Sequence, residues 1–275
     1  MASSRLVAKI EAEEPSVRLA VLIDADNAQA TVIEGLLAEV AKFGDAAVKR
    51  IYGDFTSPNS AQWKKVLNRH AIKPVQQFAY TTGKNATDST LIIDAMDLLY
   101  TRRFDGFCLV SSDSDFTGLA LRVREEGLMV LGFGEQKTPE AFRNACHKFI
   151  FTEVLRSPRV GDAASETITG RPERERVALA GGSAQSTTAS AVAAIFPREF
   201  VLQALDQASD DAGWAHLGTF GSYLTKLQPD FDARMFGFKK LSELVKAKPD
   251  IFVTEERIAP GSNTKVMYVR ANDHS

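Results

Sequence analysis

The stretch GFCLVSSDSDFTGLALRVREEGLMVLGFG, residues 106–134, sets out a short apolar run, an acidic turn, an amphipathic helix and a second apolar run, in that order. GFCLVSS from Gly106 and LMVLGFG from Leu128 have the length of strands. The segment between them begins as a helix near Phe116 and stops at Glu126-Gly127, with the glycine that a left-handed helix end favours. A strand followed by a helix and a further strand is the rhythm of a parallel sheet covered by helices.

The same rhythm continues on both sides. Strands are expected at LAVLID from Leu19, AVKRIYG from Ala47, IKPVQQF from Ile72 and KFIFTEV from Lys148. Helices are expected to begin near Ala28, Ser60, Ala86 and Pro139, the first of them ending at Phe43-Gly44 with the same left-handed glycine stop. The fold class is therefore α/β, a parallel sheet with helices on both faces, over residues 17–155.

In such sheets ligands gather beyond the carboxyl ends of the strands. Asp24 closes the apolar run LAVLI, and Asp113 and Asp115 follow GFCLVSS, so two strands deliver acids to one edge. Asp88 opens the helix TDSTLIIDAMDLL on the azimuth of Leu91, Ile92, Ala95 and Leu99, the buried stripe, and should point into the same cleft. Asp94 flanks that stripe as a supporting acid, while Asp97 lies opposite it and faces solvent. Each of Asp88, Asp113 and Asp115 taken singly would serve equally well as a helix cap. The convergence of three separate segments, that of Asp24 among them, points further. Carboxylates gathered this way cannot all stay ionised without cations between them, and oxygen ligands suit Mg²⁺ or Mn²⁺. Asn27 is either the cap of the helix from Ala28 or a neutral group that orients substrate or metal-bound water. Lys84, in the polar loop TTGKNATD, is either solvated or placed to offset the charge of a phosphate.

The 275 residues are 44% hydrophobic and 25% charged, enough for one good core and a smaller one. A net charge of −2 denies the chain a bulk electrostatic grip on nucleic acid, so RNA binding would need local patches. The two cysteines, Cys108 and Cys146, have no metal-ligand spacing and read as core thiols of a reducing compartment. The opening MASSRLVAKIEAEEPSV carries charges of both signs and no continuous apolar stretch, unlike a secretory signal, and residues 1–16 read as a flexible tail. No run approaches the ~18 apolar residues of a membrane span, which leads to the expectation of a cytoplasmic protein.

Residues 156–194 are rich in Gly, Ser, Thr and Ala with few large apolar residues, the composition of a flexible linker. As a coil it would let its flanking domains sit roughly 35 Å apart on average. Apolar periodicity returns from 195 to 272, with helices near Arg198–Ser209, Leu217–Leu227 and Phe238–Lys248, then the β runs IFVTEE and KVMYVR around IAPGSNT. Three helices and a two-stranded ribbon make a small winged helix-turn-helix. In FGFKKLSELVKAKP the apolar Phe238, Leu241, Leu244 and Val245 share one helical face, and Lys239, Lys240 and Lys246 lie away from it. Between Ile195 and Arg270 ten basic residues meet ten acidic ones, so any phosphate affinity should be modest and salt-sensitive. Phe220, Phe231 and Phe236 read as core.

VLIDADNA, GKNATDSTLIIDAMDLL and GFCLVSSDSDFTGLALRVREEGLMVLGFG, in that order, resemble the NYN family of PIN-like ribonucleases. The resemblance implies a metal-dependent endoribonuclease, with Asp24, Asp88, Asp113 and Asp115 at the acidic positions that hold Mg²⁺ or Mn²⁺ and Asn27 at the following asparagine. YLTKLQPDFDARMFGFKKLSELVKAKPDIFVTEE, ending in VMYVR, resembles the OST-HTH/LOTUS domain. That resemblance implies RNA binding or docking to a protein partner, with Tyr223, Lys239 and Lys240 as candidate contacts. Two other readings stand beside the ribonuclease. One is a non-catalytic RNA-binding adaptor. The other is a phosphohydrolase in which Asp24-Ala25-Asp26 is a DxD motif, which uses Asp26 but leaves Asp88 without a part.

Overall fold

The computed structural model describes residues 16–56, 61–78, 86–156, 196–258 and 265–272. Six strands form one fully parallel sheet: β1 Arg18–Asp24, β2 Asp45–Gly53, β3 Lys73–Gln76, β4 Gly106–Val110, β5 Met129–Gly134 and β6 Lys148–Phe151, in the order β3-β2-β1-β4-β5-β6. All six expected strands are present. Chain order reverses between β1 and β4, and that is where an open parallel sheet leaves a crevice at its carboxyl edge.

Five helices cover the two faces: α1 Ile33–Val40, α2 Ala61–His70, α3 Ala86–Tyr100, α4 Thr117–Glu125 and α5 Glu140–Ala145. The strand period of two divides β1 between them. Leu19, Val21 and Ile23 pack with Ile33, Leu36, Trp63 and Leu67 of α1 and α2. Ala20 and Leu22 pack with Leu91, Ala95, Leu119 and Phe142 of α3, α4 and α5. Residues 19–23 are all fully buried, and at about 1.5–3 kcal/mol for each large aliphatic side chain this strand contributes on the order of 10 kcal/mol to folding. Asp24 continues the even parity, so its position in the strand carries it to the α3 side.

Two local expectations need correction. The first helix starts later than Ala28, as a 3-10 turn over Ala30–Val32 that leads into α1, and its cap is Gln29 rather than Asn27. Gly44 is not left-handed, as Gly127 is at φ 79°. A Cβ on Gly44 would instead sit 2.2 Å from the Val17 carbonyl oxygen, so its small size serves a close approach.

The C-terminal domain comprises α6 Arg198–Ala208, β7 Ala215–His216, α7 Leu217–Leu227, α8 Leu241–Lys246, β8 Phe252–Ile258 and β9 Lys265–Ala271. Its ribbon has a third strand, giving the order β7-β9-β8. Two residues are too short to show an alternation in sequence, and β7 exists because β9 offers it a partner. The third helix is shorter than expected. Ala233–Phe236 form a 3-10 turn closed by left-handed Gly237 at φ 86°, and Lys240 is extended, so Lys239 and Lys240 precede α8 as exposed residues and are not on its face. Phe220, Phe231 and Phe236 pack in or against the domain core as expected.

The two domains touch, which corrects the 35 Å separation. The Phe149 amide on edge strand β6 donates to the Pro229 carbonyl at 2.9 Å. Arg234 donates to Glu39 of α1 at 2.9 and 3.3 Å and also holds Asp232. Arg143 of α5 pairs with the buried Asp230, and Met235 packs against the core beneath α5. Directional bonds between buried charges select one arrangement in a way that linker composition cannot reveal. Residues 1–15 and 157–195, which hold nearly all of the tail and linker, lie outside the described residues.

Candidate active site

Asp24 is the last residue of β1 and has no solvent exposure. Its Oδ2 accepts from the Ser111 hydroxyl at 2.7 Å and from Asn27 Nδ2 at 2.9 Å, and its Oδ1 accepts from the Asp26 amide at 2.9 Å. The Asn27 amide adds a longer contact at 3.4 Å. Burial nevertheless pushes the carboxyl above its ordinary range, against the lowering by Ser111, Asn27 and the Asp26 amide. Asn27 thus orients Asp24 rather than capping a helix.

Ser111 was not legible as a site residue. It follows β4, whose register with β1 sets Val110 opposite Ile23, so the next residues on each strand, Ser111 and Asp24, fall side by side. Its oxygen also accepts from the Asp113 amide at 3.1 Å, so one hydroxyl connects the acid of β1 to the turn after β4. Asp113 caps the 3-10 turn Ser114–Phe116 by accepting from the Asp115 amide at 3.0 Å. Capping and clustering are both present, and neither excludes the other.

Asp88, Asp113 and Asp115 each bring a carboxylate oxygen within 4.8 Å of the other two. Asp24 lies beside this group rather than in it. Burial first, and then the charges of Asp24, Asp113, Asp115 and Asp26, push the Asp88 carboxyl up to about 6. Three carboxylates from two segments, backed by the charge of a third segment, form a site of strong negative potential. A donor set made only of carboxylate oxygens suits a hard divalent cation.

Asp94 serves α3 differently from a ligand. It is bonded to Arg50 and to the Tyr52 hydroxyl of β2, which pins the helix six residues from Asp88. Asp97 is exposed, as its azimuth requires. Asp54, directly after β2, reaches the same sheet edge by the rule that selects Asp24, and its Oδ1 is held by Gln76 Nε2 at 2.8 Å and Thr56 Oγ1 at 2.6 Å. Lys84 lies outside the described residues. Lys239 and Lys240 are in the C-terminal domain, lining a cavity of about 220 Å³ with Lys148 and Thr225.

A family model described as the NYN domain matches residues 18–155, half of the chain. The chain belongs to the NYN domain family. This NYN protein also carries an OST-HTH/LOTUS domain, matched over residues 196–262. A family of the PIN-like nuclease superfamily joined to an RNA-binding type of domain supports a ribonuclease-type function, and PIN-like nucleases typically use divalent metals. No curated protein matches the NYN protein. Among solved structures, an uncharacterized protein from Nitrosomonas europaea is 53% identical, covering 38% of this chain and 92% of its own, at a TM-score of 0.27. A protein of unknown function from Vibrio parahaemolyticus is 18% identical, covering 50% of this chain and 94% of its own, at a TM-score of 0.42. A Chromobacterium violaceum protein segment is 32% identical, covering 28% of this chain and 79% of its own, at a TM-score of 0.23. Among the described residues no helix is long and apolar enough to cross a membrane.

Proposed function

We propose that this NYN protein is a metal-dependent endoribonuclease. The observation that carries the reading is the convergence of Asp88, Asp113 and Asp115, with oxygens within 4.8 Å of one another, at the carboxyl edge where the strand order reverses. These three would hold Mg²⁺ or Mn²⁺, and when bound such an ion would lower the pKa of water and neutralise the charge of a scissile phosphodiester. Asp24 contributes a further negative charge from the buried end of β1. Asn27 and Ser111 keep that carboxylate in place, and Ser111 sets the backbone from which Asp113 and Asp115 project. Asp94, locked to Arg50 and Tyr52, keeps α3 seated so that Asp88 faces the other acids. Lys239 and Lys240 are proposed RNA contacts of the OST-HTH/LOTUS domain, and Lys84 a proposed contact to a phosphate near the acids.

The phosphohydrolase reading asks Asp24 to attack a phosphate as a nucleophile. A carboxylate with no solvent exposure and three firm donors on its oxygens is poorly suited to that. The deciding experiment incubates defined RNAs with Mg²⁺ or Mn²⁺ and follows cleavage by wild type and by Asp113→Asn. Internal cleavage that is lost in the variant supports the reading. RNA binding without product under either ion would favour the adaptor.

A further inference from the structure

We propose that the outward face of the three-stranded sheet in the C-terminal domain is a stacking site for the bases of single-stranded RNA. The proposal deepens the ribonuclease reading by giving the substrate a second point of attachment, and it rests on that reading for the choice of RNA.

The alternation of β9 decides which side chains face out. Val269 is fully buried and Met267 and Ala271 pack on the domain core, so Tyr268 and Arg270 take the opposite face. His216 of β7 is registered with Tyr268, and Trp214 stands just before β7. On β8, Phe252 is buried and Arg257 belongs to the outer set. The Arg257 guanidinium lies 4.7 Å from the Trp214 ring centroid and 4.6 Å from that of Tyr268, while Arg270 lies 5.0 Å from Trp214. His216 meets Tyr268 edge to face at 5.8 Å.

These rings and guanidinium planes pack on one another as a partly exposed stack, with His216 exposed at its edge, held in place by the strand register. Bases stack on aromatic rings and on arginine planes alike, and such stacking tolerates any sequence. The net positive charge is small, because Glu255 holds Arg257 at 3.0 Å. Stacking must therefore carry most of the binding at this face, which adds little to the salt dependence.

The test uses the full chain in EDTA, which prevents metal-dependent cleavage, with a short fluorescein-labelled oligoadenylate as probe. Trp214→Ala and Tyr268→Ala are each expected to weaken binding about tenfold, the loss of one stacked base. Trp214→Phe and Tyr268→Phe, which keep a ring, should retain it. The chain has two tryptophans, and Trp63 is 2% exposed in the core, so RNA should quench emission from Trp214 and the quenching should vanish in Trp214→Phe. Alanine variants that melt as the wild type does and bind the probe equally well would overturn the site. So would loss of binding in Lys239→Glu/Lys240→Glu with the alanine variants unaffected. If the wild type binds no RNA, the site is likewise overturned. Cleavage of the same RNA in Mn²⁺ then shows separately whether the ribonuclease reading stands.

Discussion

The amide of Phe149 donates to the carbonyl of Pro229 across the domain boundary at 2.9 Å. An edge strand of a sheet exposes unpaired backbone groups that invite pairing with other chains. Here the C-terminal domain satisfies one of them on β6. The contact runs along β6, α5 and the end of α1, with Arg143–Asp230 and Arg234–Glu39 beside it. The acids lie elsewhere, at the carboxyl edge between β1 and β4, so docking holds the two domains in one relation without engaging the acidic cluster.

Arg234→Ala should loosen that relation. It removes the charged hydrogen bonds to Glu39 and Asp232 and leaves two largely buried carboxylates without that partner, a loss of about 1.5–3 kcal/mol for a charged bond. Urea unfolding should show the lower stability, and small-angle scattering should show a larger radius of gyration. An unchanged scattering profile would mean that these bonds do not hold the domains together.

The same contact should be acid-labile. Burial alone would raise Glu39 and Asp232, but hydrogen bonds from Lys42 and Arg234 to Glu39, and from Arg234 to Asp232, outweigh it and hold both carboxyls below their ordinary values. A depressed folded pKa contributes stability that is fully present above the unfolded value and is lost as pH falls through the folded one. Docking should therefore persist from neutral pH down to about pH 4 and weaken below it. Glu39→Gln should flatten this dependence in melts taken across the acid range, and a wild type whose stability does not fall with acid would contradict the assignment.

Asp113→Asn separates chemistry from folding. Asn caps a helical turn about as well as Asp, so the bond to the Asp115 amide can be kept and stability should change by less than about 0.5 kcal/mol. Cleavage should fall by two orders of magnitude or more if this carboxylate holds the ion, a loss comparable to about 2.7 kcal/mol of barrier. Asp24→Asn is a poorer test, because an amide would turn N–H groups toward donors in a buried position.

Ser111→Ala should weaken both. It deletes the 2.7 Å donor to Asp24 and the acceptor of the Asp113 amide, and supporting partners of this kind are worth roughly 10–100-fold in activity or metal affinity. Kinetics across a Mn²⁺ titration should show a raised metal requirement. Unaltered kinetics would leave Ser111 a purely local packing residue.

Metal removal supplies the last prediction. With three carboxylates crowded together, Asp88→Asn in EDTA should raise the melting temperature by relieving like-charge repulsion. Added Mn²⁺ should raise the melting temperature of the wild type in a concentration-dependent way and do little for the variant. Equal responses from both proteins would remove Asp88 from the ion site.

Strand content, the parallel sheet and the edge to which the acids come were written in the chain itself. The runs from Leu19 and Gly106 alternate or bury completely, and short-range periodicity is set by backbone geometry alone. The buried azimuth of Asp88 followed from the same geometry. Register between distant strands did not. Ser111 becomes a partner of Asp24 only because β1 and β4 pair Ile23 with Val110. The strand β7, the shortened α8 and the aromatic face around Trp214 likewise depend on which segments meet. So does the grip of Arg234 on Glu39, 195 residues apart in sequence. Local sequence determined each element and the side it buries. Tertiary packing decided which polar groups became neighbours, because hydrogen bonds and ion pairs depend on distances of a few ångströms that only the assembled chain sets.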